Sequence, residues 1–193
     1  MKLKSAFWTA LKSIIFFTIL LGTVYPAIVT CIGQLLFYDS ANGSLIIKDK
    51  KIMGSFLISQ KFNGGKYFAS RPSSIGYNPY PSGGSNLSAT DSRLKENYES
   101  RKSVFIKGNR LDSKTEIPSE MLFASGSGVD PHISKESALL QLNRICNERN
   151  LNPGQKEKLI ELIDSLSHKR VFGFFGEEYI NVMKLNFKLD GMK

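Results

Sequence analysis

The chain has 193 residues, a formal net charge of +9 at pH 7, two histidines and two cysteines. A chain of this length can build one ordinary hydrophobic core, so its length argues against several folded domains. The small number of histidines and cysteines argues against a His/Cys metal site, and we predict no metal ligands.

An uncharged stretch begins after the N-terminal lysines. No Asp, Glu, Lys, Arg or His lies between Lys12 and Asp39, and most residues there are apolar. A helix over that stretch would be about 39 Å long, which is enough to cross a hydrocarbon core of about 30 Å. We therefore predict an N-terminal tail over 1–12, a transmembrane helix over 13–38 and a single folded domain over 39–193.

The lysines before the span predict its orientation. Lys2, Lys4 and Lys12 precede it with no acid among them, and short basic tails stay in the cytoplasm. The folded domain is then extracytoplasmic, where nucleic acid is not normally met, so the basic charge does not indicate nucleic-acid binding. The apolar run is longer than the core of a signal peptide, and Thr30 fits poorly before a lipidated Cys31, so we expect neither cleavage nor lipidation.

Small and polar residues recur at every fourth position of the predicted span. They are Thr18, Gly22, Pro26, Thr30 and Gln34. Small residues let a neighbouring helix approach closely, an amide in a membrane seeks a hydrogen-bond partner, and a proline removes one helical hydrogen bond. We predict a helix-packing face for another membrane helix. The alternative is a scatter of weakly polar residues that meet no partner.

Beyond the span, the hydrophobic patterns predict an α+β domain with a mixed sheet and about three helices. The segments with regular patterns are a β-hairpin over 45–59 and helices over 91–104, 134–150 and 155–168. Near the C-terminus, apolar residues from Met183 to Leu189 alternate with polar ones, which predicts a final half-buried strand.

The segment over 63–88 is dense in Gly, Pro, Ser, Asn and Tyr, which favour turns over periodic structure. Loops of this length are usually functional or disordered, and the aromatic side chains argue against disorder. We predict that this loop and the turn over 125–128 contact a partner chain. The alternative is a loop of the Ω type that packs on its own domain.

The motifs of common catalytic sites are missing. Neither Gly83-Gly84-Ser85 nor the turn over 125–128 has the Gly-x-Ser-x-Gly spacing of a hydrolase nucleophile, and no Walker-type nucleotide motif occurs. Asp130-Pro131-His132 stands before a predicted helix, where an acid and the hydroxyl of Ser134 are both stabilising. We interpret it as a structural turn and predict no catalytic residue.

Several short motifs follow one another in order along nearly the whole chain. They are Tyr25-Pro26, Thr30 and Gln34 in the span, then Ala41 to Leu45, Tyr67-Phe68, Arg71 to Ser73, Tyr77 to Pro79, Ser82 to Leu87, Ala124 to Ser134, Gly173, Gly176-Glu177, Asn181-Val182 and Leu185-Asn186. Together they resemble the C chain of the bacterial Kdp potassium-transporting ATPase. Ser88-Ala89 departs from the Gly-Pro that is common in the family, which bears only on the turn there.

The resemblance implies a non-catalytic accessory subunit of an ATP-driven, high-affinity potassium importer in the bacterial plasma membrane. It implies three partners: a channel-like potassium-translocating subunit, a P-type ATPase catalytic subunit and membrane lipid. Potassium is the implied transported ion, and no cofactor is expected to bind to this chain by a motif of its own. The family is credited with raising the ATP affinity of the catalytic subunit, as a catalytic chaperone. Because ATP is cytoplasmic, we expect any such effect to pass through the membrane helices.

Loop composition and resemblance together predict the partner-contact residues. They are Tyr67, Arg71, Tyr77, Asn78, Ser82, Gly83, Gly84, Ser85, Asn86, Ser125, Gly126, Ser127, Gly128, Asp130 and His132. The alternative function is a membrane-anchored extracytoplasmic binding or sensor module, which would purify without larger partner chains.

Overall fold

The computed structural model describes residues 2–48, 50–62 and 64–192. The chain divides into two compact units, Met1–Leu45 and Ile46–Lys193, which we call the anchor unit and the folded unit. Helices and small sheets occupy separate segments, so the fold class is α+β, as the sequence predicts.

The anchor unit is mostly one long helix. It consists of α1 (Lys2–Ile19), a π-helical segment (Leu20–Val24) and α2 (Tyr25–Leu36), and a short α3 (Tyr38–Ala41) follows. Between Leu3 and Leu36 the helix is long and apolar enough to cross a membrane, and none of the residues in that range is buried. The uncharged stretch of the sequence therefore does form a helix of spanning length.

The π-helical segment lies directly before Pro26. Tyr25 N donates to Leu20 O, five residues back. Pro26, which has no N–H, then stands in the first turn of α2, where a proline is tolerated. A π turn holds more residues than an α turn, so residues spaced by four drift less around the helix axis across this segment. Thr18, Gly22 and Pro26 consequently stay closer to one line than in an uninterrupted α-helix.

The described residues of the folded unit form two small sheets and four longer helices. Strands β1 (Leu45–Lys48) and β2 (Lys51–Ser55) make one sheet, and β3 (His132–Ile133) and β4 (Ile180–Asn181) make the other. The helices are α4 (Ser92–Asn109), α5 (Lys135–Arg149), α6 (Pro153–Leu166) and α7 (Val182–Asp190), with a 3-10 turn over Ser119–Met121. The β3–β4 pair is antiparallel, with His132 opposite Asn181. The sheet content is thus two separate two-stranded sheets rather than one mixed sheet.

Each of the four helices begins beside a side chain that accepts a hydrogen bond from its first turn. These capping residues are Asp91, Ser134, Asn152 and Asn181. Their oxygens satisfy N–H groups that a helix start leaves without a partner. The predicted positions of α4, α5 and α6 are confirmed, although α4 runs on to Asn109, where Arg110 in the left-handed conformation ends it.

The predicted C-terminal strand is wrong, because Val182–Asp190 is helix α7. The side chains that α7 buries are Val182, Met183, Leu185, Asn186 and Leu189. Residues 182, 185, 186 and 189 have the spacing of one helix face. Asn186 belongs to that face although it is polar, so the alternation of apolar residues alone concealed the helical period.

The core of the folded unit is built from α5, α6, α7 and the β3–β4 sheet. Its buried side chains include Ile133, Ala138, Leu142, Ile145, Cys146, Leu159, Ile163, Ile180, Val182, Leu185 and Leu189. Phe68, from the long loop between β2 and α4, joins this cluster with no exposed surface. Burying a phenylalanine side chain contributes about 1.5–3 kcal/mol, so the loop shares in the stability of the core.

Candidate functional site

The long loop between β2 and α4 is attached to the folded unit by side-chain amides. Asn186 accepts a hydrogen bond from Phe68 N and donates one to Phe68 O, both at 2.9 Å. Gln141 does the same for Ala69, at 2.7 Å from its N and 3.2 Å from its O. Both amides are buried, where a hydrogen bond is strong and an unmade one is costly. Two consecutive loop residues are therefore held in place.

Tyr67, one of the predicted contact residues, has its polar groups engaged within the chain. Its carbonyl accepts from Arg144 Nη1 at 3.0 Å, and its hydroxyl donates to Asp190 Oδ2 at 3.2 Å. The Arg149 guanidinium lies 4.8 Å from the centre of its ring. Burial keeps the pKa of Arg144 below its usual value, and the charge of Glu148 only partly offsets this. Tyr67 thus fixes the loop to α5 and α7.

Arg71, Asp130 and His132 form a chain of polar contacts at the turn before β3. Arg71 Nη1 lies 3.1 Å from Asp130 Oδ2. Asp130 Oδ1 accepts from His132 N at 3.0 Å and lies 3.2 Å from His132 Nδ1. Burial raises the pKa of Asp130, but the hydrogen bonds from His132 and the Arg71 charge outweigh it, so this pKa lies below its usual value. The three predicted contact residues therefore brace one turn.

Tyr77 is half-buried and turned toward its own loop. Its hydroxyl donates to Arg71 O at 3.0 Å, and its backbone N donates to Ser73 Oγ at 2.9 Å. Burial raises the pKa of the Tyr77 phenol above its usual value. The Tyr77 side chain therefore stabilises the conformation of the loop.

The long loop and the turn over 125–128 pack against each other. Gly83 N donates to Ser127 O at 3.0 Å, and Ser125 N donates to Pro72 O at 3.0 Å. The sequence predicts each of these two segments as a contact region, and the structure shows that they lie side by side. They form one composite surface.

Glycines allow this close approach of two backbones. A Cβ atom on Gly84 would lie 3.2 Å from Gly126 O, and one on Gly128 would lie 2.7 Å from Gly83 O. Gly128 also has a φ of +72°, which side chains with a Cβ rarely adopt. A side chain at either position would force the loop and the turn apart.

The tip of the loop and the outer side of the turn remain exposed. The exposed members of the predicted contact set here are Asn78, Ser82, Ser85, Asn86, Gly126 and Ser127. Tyr80, which the predicted set lacks, is 88% exposed beside them. An aromatic residue between two prolines in a polar loop is a signal that could have found it. We call these seven residues the loop rim.

The predicted helix-packing residues of the anchor are all exposed. They are Thr18, Gly22, Pro26, Thr30 and Gln34. A Cβ atom on Gly22 would meet no atom within 4 Å, so the chain's own packing does not require a glycine there. Gln34 Oε1 accepts a hydrogen bond from Asn42 Nδ2 at 3.0 Å, so half of this amide already has a partner within the anchor unit.

The cavities of the folded unit show no arrangement for a metal ion. A cavity of about 510 Å³ lies between β1, β2 and α7 and is mostly apolar. Another of about 340 Å³ is lined by Arg71, Asp130 and His132 together with His168 and Glu177. Among residues 2–48, 50–62 and 64–192, no group of three or more His, Cys, Asp or Glu side chains is placed to hold a metal.

Comparisons with known proteins agree along almost the whole chain. Residues 7–191 match the family KdpC, described as K+-transporting ATPase, c chain. The chain is 42% identical over 183 residues to a potassium-transporting ATPase KdpC subunit of Mycobacterium tuberculosis (94% of this chain, 95% of the relative). It is 40% identical over 179 residues to that of Caldanaerobacter subterraneus (93% and 91%) and 39% over 181 residues to that of Leptospira interrogans (94% and 91%).

Proposed function

This chain belongs to the KdpC family, the c chains of the K+-transporting ATPase, and from that premise we propose that it is a non-catalytic accessory subunit that joins the other chains of a potassium-importing pump. The observation that carries the proposal is the pairing of a family match over residues 7–191 with a helix from Leu3 to Leu36 that has the length and composition to span a membrane and contains no buried residue. The chain would act by assembling with a channel-like, potassium-translocating subunit and with a P-type ATPase subunit.

The anchor helix supports a role in assembly beyond membrane attachment. Its line of small and polar residues is exposed, Gly22 has open space around it, and the π-helical segment keeps Thr18, Gly22 and Pro26 near one line. A flat, small-residue face lets a second helix approach closely, and packing rather than hydrophobicity drives helix association in lipid. We assign this face to a helix of a larger subunit.

We propose the orientation of the chain in the membrane from the positions of its charged residues. Lysines flank the N-terminal end of the helix, so the N-terminus would be cytoplasmic and the folded unit extracytoplasmic. A cysteine at Lys158, which is exposed on α6 and lies outside the predicted contact residues, tests this in a chain that lacks Cys31 and Cys146. A membrane-impermeant maleimide should label it from the extracytoplasmic side of sealed membranes, and labelling only after the membranes are opened would reverse the assignment.

The loop rim is the proposed contact with the channel-like subunit. The rim is exposed, but the loop that carries it is fixed by buried amides and by the turn over 125–128. An ordered polar surface of this kind loses little conformational entropy when it binds. The internal packing of the loop and its use as a contact are therefore compatible, because different residues serve each purpose.

Any effect on the ATP affinity of the catalytic subunit would be a coupling transmitted through the membrane. With the folded unit outside and nucleotide inside, no atom of the loop rim could reach ATP across about 30 Å of hydrocarbon. A ligand affinity that changes at a distance requires a coupling free energy between two sites. The anchor helix is the part of the chain that could carry it.

Purification of the assembled complex tests the proposal. Extracted in a mild detergent, the tagged chain should bring down two much larger membrane chains in constant ratio, and potassium-stimulated ATP hydrolysis should accompany them. Purification of the chain alone under conditions that keep those two chains together would instead favour a membrane-anchored binding or sensor module.

A truncated chain that keeps residues 1–44 separates the roles of the two units. If the anchor carries the coupling, the truncated complex should keep the ATP affinity of the full complex. If the folded unit contributes, ATP affinity or potassium affinity should fall. Loss of the folded unit with both affinities unchanged would remove it from any coupling role.

A further inference from the structure

The segment between α6 and β4 carries an exposed aromatic hairpin at residues 171–175. Val171 and Phe175 form an antiparallel bridge, and the chain turns between them. Phe172 is 84% exposed, Phe174 67% and Phe175 61%. Single exposed apolar residues are ordinary on a protein surface, but three phenylalanines on one short turn form a patch.

The hairpin stands on a fixed base. His168 and Tyr179 form a second antiparallel bridge, with N–O distances of 2.9 and 3.2 Å. Their rings stack with centres 4.8 Å apart and planes inclined by 17°. Ile180, which follows directly, is fully buried in β4. The aromatic tip is therefore presented by the core rather than by a loose loop.

The backbone of the hairpin forms hydrogen bonds within itself. Val171 N donates to Phe175 O at 2.8 Å, and Phe175 N donates to Val171 O at 2.9 Å. Gly173 N donates to Arg170 O at 3.2 Å, and its φ of +82° permits the tight turn. Backbone groups left without partners make it costly to leave water, so a self-bonded turn is suited to an apolar surrounding.

The charges beside the aromatic tip are basic on the side that leads into it. Lys169 and Arg170 precede it, no acid lies between His168 and Gly176, and the exposed Glu177 and Glu178 follow on the other arm. Neither Lys169 nor Arg170 forms an ion pair in the described part of the chain. Aromatic rings at headgroup depth beside lysine and arginine are the pattern of protein segments at a bilayer surface. Anionic headgroups complement such charges.

We propose that the aromatic hairpin inserts into the interfacial region of a bilayer that contains anionic phospholipid. The lipid surface is favoured over a protein groove because the tip combines a self-bonded backbone, three aromatic rings and unpaired basic side chains. The anchor helix would keep the hairpin at a high effective concentration near the same bilayer. The inference holds for either orientation of the chain, so it stands or falls separately from the proposed assembly function.

Fluorescence of the full chain in lipid nanodiscs tests the inference. Trp8 is the sole tryptophan of the chain, so Trp8→Phe combined with Phe174→Trp places one reporter on the tip. The nanodiscs contain phosphatidylethanolamine and phosphatidylglycerol, with or without bromine on the acyl chains. A matched reporter, Tyr80→Trp in the same background, stands on another exposed loop, and Phe172→Trp repeats the measurement at a second tip position.

The indole at position 174 should lose more emission in brominated than in plain nanodiscs, and shallow bromines should quench it more than deep ones. The indole at position 80 should lose none. Adding Lys169→Glu and Arg170→Glu, or omitting phosphatidylglycerol, should reduce the loss at position 174. Equal emission with and without bromine at both tip positions would overturn the inference. So would a blue shift at position 174 that appears only after the larger pump chains are added, which would mark a protein groove as the occupant.

Discussion

Asn186 makes with Phe68 both of the hydrogen bonds that an adjacent β-strand would make. Its side-chain amide accepts from the N–H and donates to the carbonyl of the same residue, each at 2.9 Å. The two residues are 118 positions apart in the sequence. The side chain of Asn186 on α7 therefore replaces a neighbouring strand as hydrogen-bond partner of Phe68. The position of the first part of the long loop depends on these two bonds.

Asn186→Ala should destabilise the folded unit strongly. It leaves the buried N–H and carbonyl of Phe68 without partners, at a cost of about 2–4 kcal/mol for the two groups. Denaturant unfolding of the detergent-solubilised chain, followed by circular dichroism, measures this. Asn147→Ala, on the exposed face of α5, is the matched control and should change the stability by less than about 0.5 kcal/mol. Equal effects of the two substitutions would contradict the structural role given to Asn186.

Gly128→Ala and Gly126→Ala should differ although they lie in one turn. Gly128 has a positive φ, and a Cβ atom there would meet Ile75 and lie 2.7 Å from Gly83 O, whereas one on Gly126 would meet nothing within 4 Å. We expect Gly128→Ala to cost about 1–3 kcal/mol and to speed hydrogen exchange at Gly83. Gly126→Ala should leave both unchanged. Similar exchange in the two variants would show that the turn does not hold the loop.

The stability of the folded unit should fall in acid, partly through Glu120. Its Oε1 accepts from Ser134 N at 2.7 Å and from Ser137 Oγ at 2.6 Å. Burial raises the pKa of Glu120, but these bonds outweigh it, so the pKa lies below its ordinary 4.5. A carboxyl group whose pKa is lower in the folded than in the unfolded chain stabilises the fold at pH values above its unfolded pKa. This stabilisation is lost as the pH falls through its folded pKa.

Unfolding free energy measured against pH checks the contribution of Glu120. It should begin to fall below about pH 4.5, and Glu120→Gln should make the fall shallower. Some slope should remain in that variant, because the pKa of Asp130 is also lowered. Glu161→Gln, on the exposed face of α6, should leave the curve as it is. An unchanged acid slope in Glu120→Gln would contradict the assignment.

Gly22→Leu with Gln34→Leu should leave the chain in the membrane and weaken its assembly. Both changes raise the apolarity of the helix, so insertion is not impaired, but leucine blocks close approach at Gly22 and removes the amide of Gln34. The yield of the larger chains in co-purification is the measurement. Ile28→Leu, another exposed position of the helix, serves as control. Undiminished co-purification would reduce the helix to an anchor.

Cysteines on the loop rim should crosslink to the channel-like chain. Tyr80 and Ser85 are exposed positions, whereas Tyr77 would disturb the loop because its hydroxyl bonds Arg71 O. In a chain without Cys31 and Cys146, we expect a short bifunctional reagent to join position 80 or 85 to that subunit. A cysteine at Lys158, on the exposed face of α6, should give much less product. Equal crosslinking at all three positions would speak against a specific rim contact.

Helices α5 and α6 could be predicted from the sequence because each combines a capping residue with apolar residues at helical spacing, whereas α4 is polar and only weakly amphipathic. Helix α7 could not be predicted, since one face position is Asn186, and the alternation from Met183 to Leu189 has the period of a strand. The lack of regular structure over the described residues of 63–88 was also foreseeable from composition, although the loop begins earlier, directly after Ser55. Its path was not, because it is fixed by contacts with residues far along the chain.

The candidate site was only partly predictable for the same reason. Composition indicated the loop and the turn over 125–128 as a contact region. It could not distinguish the predicted contact residues that are exposed from those that stabilise the fold. That division depends on tertiary partners such as Asp190 for Tyr67 and Asp130 for Arg71. The aromatic hairpin was overlooked because its short apolar run also fits a buried strand, and only the exposed rings reveal the difference.

The contacts that close the folded unit also bear on when it can fold. Ala69 bonds Gln141 across 72 residues, Phe68 bonds Asn186 across 118, and Phe56 O accepts from Asn181 across 125. Pairings of such long range require large loop-closure entropies first, which slows folding. A nascent chain cannot form the last of them until α7 has left the ribosome. During most of synthesis, the loop that follows β2 therefore lacks the partners that fix it in the folded unit. Chaperones and proteases have access to the unfolded loop during that interval.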